Sequence, residues 1–274
     1  MTQKRIVVLG AGGMARETRW LVQEINAIQP RYKFLGYVVS DRSRCGSYDS
    51  SEHFLGDYAW LDEHRREIDA VAIGIGSPSA RLKVGREVCA LLPDAELPAL
   101  IHPSAILDFA SAKIGFGVQI CAGTIGTVNI KLDKLALCNF GCTLGHEVVV
   151  GQGSVVSPGA NISGGVVIGS GVLVGTGARI LQYCQVGDEA TVGAGAVVLH
   201  DVAPHTTVVG VPARPCHLSL IDRLKRCTFF KPANPFIAPN AIFTTMDRCF
   251  SSCSQLGSVS SGDASIPVLR DSRP

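Results

Sequence analysis

Residues 144–180 read LGHEVVVGQGSVVSPGANISGGVVIGSGVLVGTGARI, with an aliphatic residue at every sixth position. The same step, continued in both directions, gives fifteen in-phase hexads from Ile114 to Val198, and thirteen of them begin with an aliphatic side chain. The residue four places after each start is small in nearly every hexad. Such a repeat is typical of a parallel β-helix, in which three hexads form one triangular coil.

The repeat never changes phase, which restricts where a functional site can lie. No long loop interrupts the chain between Ile114 and Val202, so the flat faces and the corners of the coils remain as candidate surfaces. Each coil packs only on its neighbours, so the array is a solenoid whose ends need caps. We expect the N-terminal part to cover one end, residues 201–215 to cover the other, and a neighbouring subunit to complete any groove.

Residues 1–100 follow a different pattern, in which strands and helices alternate. The apolar runs KRIVVLG, KFLGYVVSD and DAVAIGIG predict three strands, and segments with helical spacing follow the first and third. A βαβαβ order requires a parallel sheet with right-handed crossovers. The sequence therefore predicts a Rossmann-like α/β domain ahead of an all-β domain that occupies residues 101–216.

A glycine-rich turn follows the first predicted strand. Residues 10–15 read GAGGMA, a G-x-G-x-x-A pattern at the passage from strand to helix. Glycines there let a ligand approach the backbone, and the unpaired N–H groups of the helix N-terminus attract an anion such as a phosphate. A tight turn without a ligand is the alternative interpretation. Asp41 closes the second strand, where an acid that binds a ribose hydroxyl can lie.

The composition fits a soluble globular protein. The chain has 274 residues, 46% hydrophobic and 18% charged, with a formal charge of +2. No long basic run is present, which argues against nucleic acid or membrane binding, and no leader pattern appears, so we expect a cytoplasmic protein. The ten cysteines form no CxxC pair, which favours reduced core thiols. Residues 217–274 form a tail broken by proline and rich in serine, a composition that favours disorder.

His146 and Glu147 stand out among the glycines and small residues of the repeat. His146 lies two places after Leu144, at a turn position that points away from the coil interior. A neutral imidazole accepts a proton near pH 7 and a neighbouring carboxylate stabilises its cation, so a general base is one interpretation. An ordinary surface histidine is the other. His200 lies three coils away, at about 14 Å for coils about 4.8 Å apart, so the two histidines cannot share a metal ion within one chain.

Four motifs occur in order along the chain. They are GAGGMAR after the first strand, LIHPSA at the domain junction, the run from GHEVVV to GARI, and VGAGAVVLHDVAPHTTVVGVPARP. Together they resemble the sugar O/N-acyltransferases of the left-handed β-helix superfamily, a group with sialic-acid O-acetyltransferases and bacillosamine-pathway N-acetyltransferases acting on UDP-4-amino-sugars. The resemblance covers residues 4–216. It implies a homotrimer with active sites between adjacent β-helices, acetyl-CoA along the groove, and a nucleotide sugar held by the N-terminal domain.

The resemblance also implies roles for individual residues. His146 is the expected base in a direct acyl transfer without a metal, Glu147 raises its basicity, and Asn139 helps to place the substrate. The positions that match nucleotide-sugar loops are Gly12, Gly13, Met14, Asp41 and Gly76. The positions that match coenzyme contacts are Val155, Thr176 and Ala194.

The chain departs from the family pattern in three places. Val155 stands where many relatives carry a second histidine, Met14 replaces a polar residue, and GSPSAR at 76–81 lacks a common asparagine. Two other functions stay open: acyl transfer to a small non-nucleotide acceptor, and a non-catalytic repeat protein that binds a nucleotide sugar or a partner. Cys142 is a rival nucleophile, but its hexad position directs the thiol into the corner of the coil.

Overall fold

The computed structural model describes residues 2–40, 45–49 and 51–216. Asp41 and residues 217–274 lie outside this part of the chain, so the roles expected for them stay predictions. The described residues form an α/β domain followed by a stack of parallel strands, the order expected from the sequence. Within them, no helix is both long and apolar enough to cross a membrane.

A four-stranded parallel sheet forms the centre of the α/β domain. The elements are β1 (Lys4–Leu9), α1 (Gly13–Ile28), β2 (Tyr32–Val38), β3 (Phe54–Gly56), α2 (Tyr58–Glu63), β4 (Ala70–Ile73) and α3 (Pro78–Leu91). The strand order is β3-β2-β1-β4, and every pair is parallel. β1 is fully buried from Ile6 to Leu9, as expected for an inner strand of a parallel sheet that is covered on both faces.

Two elements of this domain were not expected from the sequence. β3 adds a fourth strand to the three that the apolar runs predict, and α2 follows it directly. β3 is only three residues long, too short for an alternating pattern to show. α2 begins because the Asp57 carboxylate accepts a hydrogen bond of 2.9 Å from the Ala59 N–H, which caps the helix.

Short strands, most of them two residues long, make up the rest of the described chain. In chain order they are β5 (Leu100–Ile101), β6 (Lys113–Ile114), β7 (Gln119–Ile120), β8 (Ile125–Gly126), β9 (Lys131–Leu132), β10 (Leu137–Cys138), β11 (Thr143–Leu144), β12 (Val149–Val150), β13 (Val155–Val156), β14 (Asn161–Ile162), β15 (Val167–Ile168), β16 (Leu173–Val174), β17 (Arg179–Ile180), β18 (Gln185–Val186), β19 (Thr191–Val192), β20 (Val197–Val198), β21 (Thr207–Val209) and β22 (Arg214–Pro215).

These strands form three sheets. Sheet one has the order β22-β21-β19-β16-β13-β10-β7-β5, sheet two has β20-β17-β14-β11-β8, and sheet three has β18-β15-β12-β9-β6. Leu137 pairs with Val155 and Val155 with Leu173, a parallel step of 155 − 137 = 18 residues. One coil therefore contains three hexads, and the predicted parallel β-helix is confirmed.

The repeat fills the interior of the coils as the hexad pattern predicts. Leu144, Val150 and Val156 are at most 1% exposed, and the small residues Ser154 and Ala160 are fully buried. Complete burial of a valine or leucine side chain contributes about 1.5–3 kcal/mol, so the stacked columns stabilise the coils. Function must therefore use the side chains that the repeat directs outward.

The α/β domain covers a face of the β-helix, whereas the sequence suggested that it would cover an end. Leu21 of α1 belongs to the same buried cluster as Leu137 and Val155, whose side chains project from the outer surface of sheet one. This surface is apolar, and packing against α1 removes it from water. At the C-terminal end, β21 pairs with β19 and turns back into antiparallel β22.

Candidate active site

His146 lies at the corner between sheet two and sheet three. It follows β11, with 51% of its side chain exposed. Its Nδ1 lies 3.6 Å from Oε2 of Glu147, so the carboxylate faces one ring nitrogen. An Nδ1–H directed at that carboxylate leaves the lone pair of Nε2 available as a base. The structure thus brings the predicted base and its acid together on an accessible corner.

Glu147 occupies a backbone conformation that glycine usually adopts. Its φ is 62°, and the equivalent positions of nearby turns are Gly141, Gly153, Gly159 and Gly165. A non-glycine residue in this left-handed region costs on the order of 1–3 kcal/mol, and such residues often occur at functional sites. Asn129, Leu135, Tyr183 and Glu189 adopt the same conformation at the same hexad position, so it is a property of these turns and does not by itself mark Glu147 as functional.

Two neighbouring glycines extend the site along the corner. A Cβ built on Gly164 would collide with Nε2 of His146, and one on Gly165 would collide with the ring of Tyr183. Tyr183 also has a positive φ of 63°. The Gly164–Gly165 turn therefore lies between two rings. Sequence reasoning missed this feature, although residues 164–165 and 182–183 lie one and two 18-residue coils after His146 and Glu147.

Asn139 lies between β10 and β11, at the corner between sheet one and sheet two. It is 8% exposed, and its Oδ1 accepts a hydrogen bond of 2.8 Å from the Phe140 N–H. The buried carbonyl end is therefore fixed, which leaves the N–H donors for a ligand.

The three predicted coenzyme residues do not share one surface. Thr176 and Ala194 are exposed and lie at the corner between sheet one and sheet two, one coil apart. Val155 is 3% exposed and packs beneath α1 in the junction between the domains. The side chain of Val155 has no surface to offer a coenzyme in this chain, because the α/β domain covers sheet one.

Part of the predicted nucleotide loop lines a cleft at the carboxyl ends of the strands. Met14 and Gly76 contribute to a cavity of about 510 Å³. Gly12 lies beside it at the start of α1, and its N–H donates to Oδ2 of Asp49 at 3.1 Å. Burial alone would raise the pKa of Asp49, but hydrogen bonds from the Gly46 N–H and the Arg16 guanidinium lower it below its usual value. An anionic side chain of the protein itself thus occupies the helix N-terminus.

Gly13, the remaining predicted loop residue, is exposed and begins α1. A Cβ built on it would meet no atom within 4 Å, so the space in front of it is open. The position is compatible with an approaching ligand.

Cys142 is buried in the corner of the coil, as its hexad position predicts. Its Sγ lies 3.2 Å from the carbonyl oxygen of Ser157, to which the thiol donates. Burial raises the pKa of this thiol to about 11. A protonated, inward thiol is a poor nucleophile, so the geometry favours His146 over Cys142 as the reactive group.

Short segments of the sequence match known proteins. Residues 165–200 match the model of the bacterial transferase hexapeptide repeat family. Serine acetyltransferase from Escherichia coli strain K12 is 60% identical over 37 residues, which are 14% of this chain and 14% of that protein. The chain thus spans only about 14% of the length of the curated relatives that it matches.

Solved structures resemble much more of the chain. A point variant of perosamine N-acetyltransferase from Caulobacter crescentus, in complex with CoA and GDP-perosamine, is 27% identical with a TM-score of 0.69 and covers 77% of this chain and 96% of that one. The acetyltransferase domain of PglB from Neisseria gonorrhoeae, in complex with acetyl coenzyme A, is 28% identical with a TM-score of 0.58 and covers 78% and 100%.

The resemblance to the sugar acyltransferases is confirmed. The likeness to these acetyltransferases includes both the α/β domain and the β-helix, since it covers more than three quarters of the chain. The match to the hexapeptide repeat supports the transferase class independently. Within the described residues, no group of three or more histidine, cysteine, aspartate or glutamate side chains could hold a metal ion.

Proposed function

We propose that the protein transfers an acyl group from an acyl-CoA to an amino or hydroxyl group of a nucleotide-activated sugar. Acetyl-CoA is the expected donor, because related structures contain CoA or acetyl-CoA. The nucleotide sugar is supported by the GDP-perosamine in one of them. The observation that carries the proposal is the pairing of His146 with Glu147 on an exposed corner of the β-helix.

The proposed reaction is a direct transfer in which His146 moves one proton. The acceptor nitrogen or oxygen attacks the thioester carbonyl while Nε2 of His146 takes its proton. The tetrahedral intermediate then expels the CoA thiolate, which recovers that proton from the imidazolium. Glu147 stabilises the imidazolium between the two steps. General-base assistance of this kind is typically worth about 10²–10⁴ in rate.

The proposal includes an assembly and a location for the substrates. We expect a cytoplasmic homotrimer of left-handed β-helices, because one coil corner forms only a shallow surface and a neighbouring subunit would complete the groove. The Rossmann-like domain would hold the nucleotide at the cleft beside Met14 and Gly76. Thr176 and Ala194 would contact the coenzyme, while the covered Val155 would support the junction instead.

The test measures CoA release with a thiol reagent, using acetyl-CoA and a panel of UDP-, GDP- and CMP-linked amino sugars. His146→Ala should lower turnover by about 10²–10⁴ without changing the oligomeric state. His200→Ala is the matched control, because His200 is exposed at the same hexad position three coils away. Near-normal activity of a purified His146→Ala variant would contradict the assignment.

Acyl transfer to a small acceptor is a second candidate, favoured by the local identity of 60% to serine acetyltransferase. In that case L-serine or another small amine or alcohol would release CoA faster than any nucleotide sugar. A non-catalytic repeat protein would release no CoA with either class of acceptor. The same thiol assay therefore separates all three functions.

A further inference from the structure

A small pocket lies between the two domains, apart from the glycine-loop cleft. We name it the junction pocket, defined by Glu17 and Trp20 of α1, by His102, and by Asn139 and Phe140 of the β-helix. Its volume is about 100 Å³. Since a water molecule occupies about 30 Å³ of liquid, the pocket fits a small polar group or a few waters but not a whole sugar.

One buried donor in the wall of the pocket, Nε2 of His102, lacks an acceptor. His102 is 8% exposed, and its Nδ1 accepts a hydrogen bond of 3.0 Å from the Ser104 N–H, so the neutral ring carries its proton on Nε2. That Nε2 has no hydrogen-bond partner among the described residues, and the nearest carboxylate oxygen, of Glu24, is 3.7 Å away. Asn139, also in the wall, accepts a hydrogen bond on Oδ1 from the Phe140 N–H, and its amide nitrogen is a second donor.

Unpaired donors of this kind are costly. A buried polar group without a partner costs about 1–3 kcal/mol, so the orphaned Nε2 of His102 beside a cavity points to a ligand that accepts its hydrogen bond. Two further polar groups line the wall, the thiol of Cys121 and the carboxyl of Glu17, and the carboxyl can accept a hydrogen bond. Trp20 and Phe140 supply apolar faces, and the Trp20 and His102 ring centroids are 5.5 Å apart.

A hydroxyl group matches this set of partners. Its oxygen accepts from the N–H donors of His102 and Asn139, and its proton goes to the carboxyl of Glu17. An ammonium group has no lone pair for the two donors. A phosphate would place negative charge beside Glu17. The aromatic faces suit the apolar face of a sugar ring that carries the hydroxyl.

The pocket lies within reach of the glycine loop along a single helix. Glu17 and Leu21, which both line the pocket, are four and eight residues beyond Gly13. At 1.5 Å per residue, these residues lie about 6 Å and about 12 Å along α1 from its N-terminus. A diphosphate near that N-terminus would direct an attached hexose toward the pocket.

The geometry points to the junction pocket as the site that recognises a ring hydroxyl of the acceptor sugar, with His102 and Glu17 as specificity residues beside Asn139. This inference rests on the proposed function, because it names the part of the acceptor that the same active site would select. It assigns no proton transfer to His102. The residue acts through binding, so the effect belongs in KM for the sugar nucleotide.

The experiment uses the full-length protein and the sugar nucleotide that gives the fastest thiol release in the panel. His102→Met fills the space but removes the N–H donor, and His102→Gln restores one. We expect His102→Met to raise KM for the sugar nucleotide about tenfold, with KM for acetyl-CoA unchanged, and His102→Gln to recover most of the loss. His200→Met is the matched control, since it makes the same substitution at an exposed histidine outside the pocket wall.

Fluorescence reports occupancy without turnover. The chain has two tryptophans, so Trp60→Phe leaves Trp20 as the sole reporter in the pocket wall. The sugar nucleotide should change Trp20 emission, whereas the nucleoside diphosphate alone should not. If an acceptor turns over while its KM is the same in wild type and His102→Met, the pocket inference is wrong and the proposed function stands. If no sugar nucleotide supports thiol release, the proposed function fails, and this inference fails with it.

Discussion

The placement of the His146 ring depends on a neighbouring residue that has no side chain. Gly164 lies under the imidazole, and a Cβ there would collide with Nε2, the nitrogen that faces away from Glu147. Gly164 has an ordinary backbone conformation, because its φ is not in the left-handed region. We therefore expect Gly164→Ala to fold normally but to displace the ring and lower kcat by at least tenfold, measured by thiol release.

Gly159→Ala is the control, because a Cβ added at that glycine would contact no other atom. Gly159 has a φ of 67° and no atom within 4 Å of a built Cβ. Gly159→Ala should cost on the order of 1 kcal/mol of stability through backbone strain but keep its kcat. Equal kcat in the two variants would show that Gly164 does not position the base.

The buried thiol at position 142 gives a second prediction at the residue scale. Because burial raises the pKa of Cys142 to about 11, the thiol stays protonated near neutral pH. Cys142→Ser preserves the volume and a donor to the Ser157 carbonyl oxygen. The variant should retain wild-type kcat within about twofold in the thiol-release assay, since no step of the proposed reaction uses the sulfur. Loss of activity in a folded Cys142→Ser protein would revive the nucleophilic mechanism.

At the scale of elements, the carboxylate of Asp49 occupies the N-terminus of α1, where it would compete with an anionic ligand for the helix N–H groups. Asp49 accepts hydrogen bonds from the N–H groups of Gly12 and Gly46 and pairs with Arg16. Asp49→Asn keeps the shape and one acceptor oxygen but removes the negative charge. We expect the dissociation constant for a nucleoside diphosphate to fall about fivefold by calorimetry, since charge effects at helix termini amount to about 1 kcal/mol.

Asp57→Asn is the matched control for the previous prediction. Asp57 also caps a helix, α2, through the N–H groups of Ala59 and Trp60. Aspartate and asparagine are similarly good caps, so the substitution should leave nucleotide affinity and stability nearly unchanged. Weaker nucleotide binding by Asp49→Asn would mean that the carboxylate contacts the ligand directly, for example through a ribose hydroxyl, and would contradict competition.

The sequence predicted the β-helix more completely than the α/β domain. The hexad pattern encodes the direction of each side chain, so the inward position of Leu144 and the outward position of His146 followed from spacing alone. β3 and α2 were missed because three and six residues carry no measurable period. The burial of Val155 was missed for a different reason: periodicity states which way a side chain points, but not which domain covers that surface.

At the scale of the whole molecule, one buried cation joins the two domains. Arg81 of α3 is fully buried and donates to the carbonyl oxygens of Ile73 and Ile75 at 3.0 and 2.8 Å. It also donates across the junction to the carbonyl oxygen of Leu135 at 3.1 Å and to Oε1 of Gln119 at 3.0 Å. Burial lowers the pKa of Arg81 to about 10, so the guanidinium stays charged at neutral pH.

Replacing Arg81 by methionine should therefore uncouple the two domains. The variant keeps an apolar stem but leaves carbonyl groups of both domains without a donor, and hydrogen bonds to charged groups contribute about 1.5–3 kcal/mol each. We expect the unfolding midpoint to fall by at least about 5 °C and the calorimetric transition to become broader than that of the wild type, or to split. Arg86→Met on the exposed side of α3 is the control and should unfold like the wild type.

Because Arg81 also fixes the carbonyl groups just before Gly76, the Arg81→Met variant should raise KM for the sugar nucleotide more than KM for acetyl-CoA. A variant that unfolds and binds like Arg86→Met would show that apolar contacts alone align the two domains.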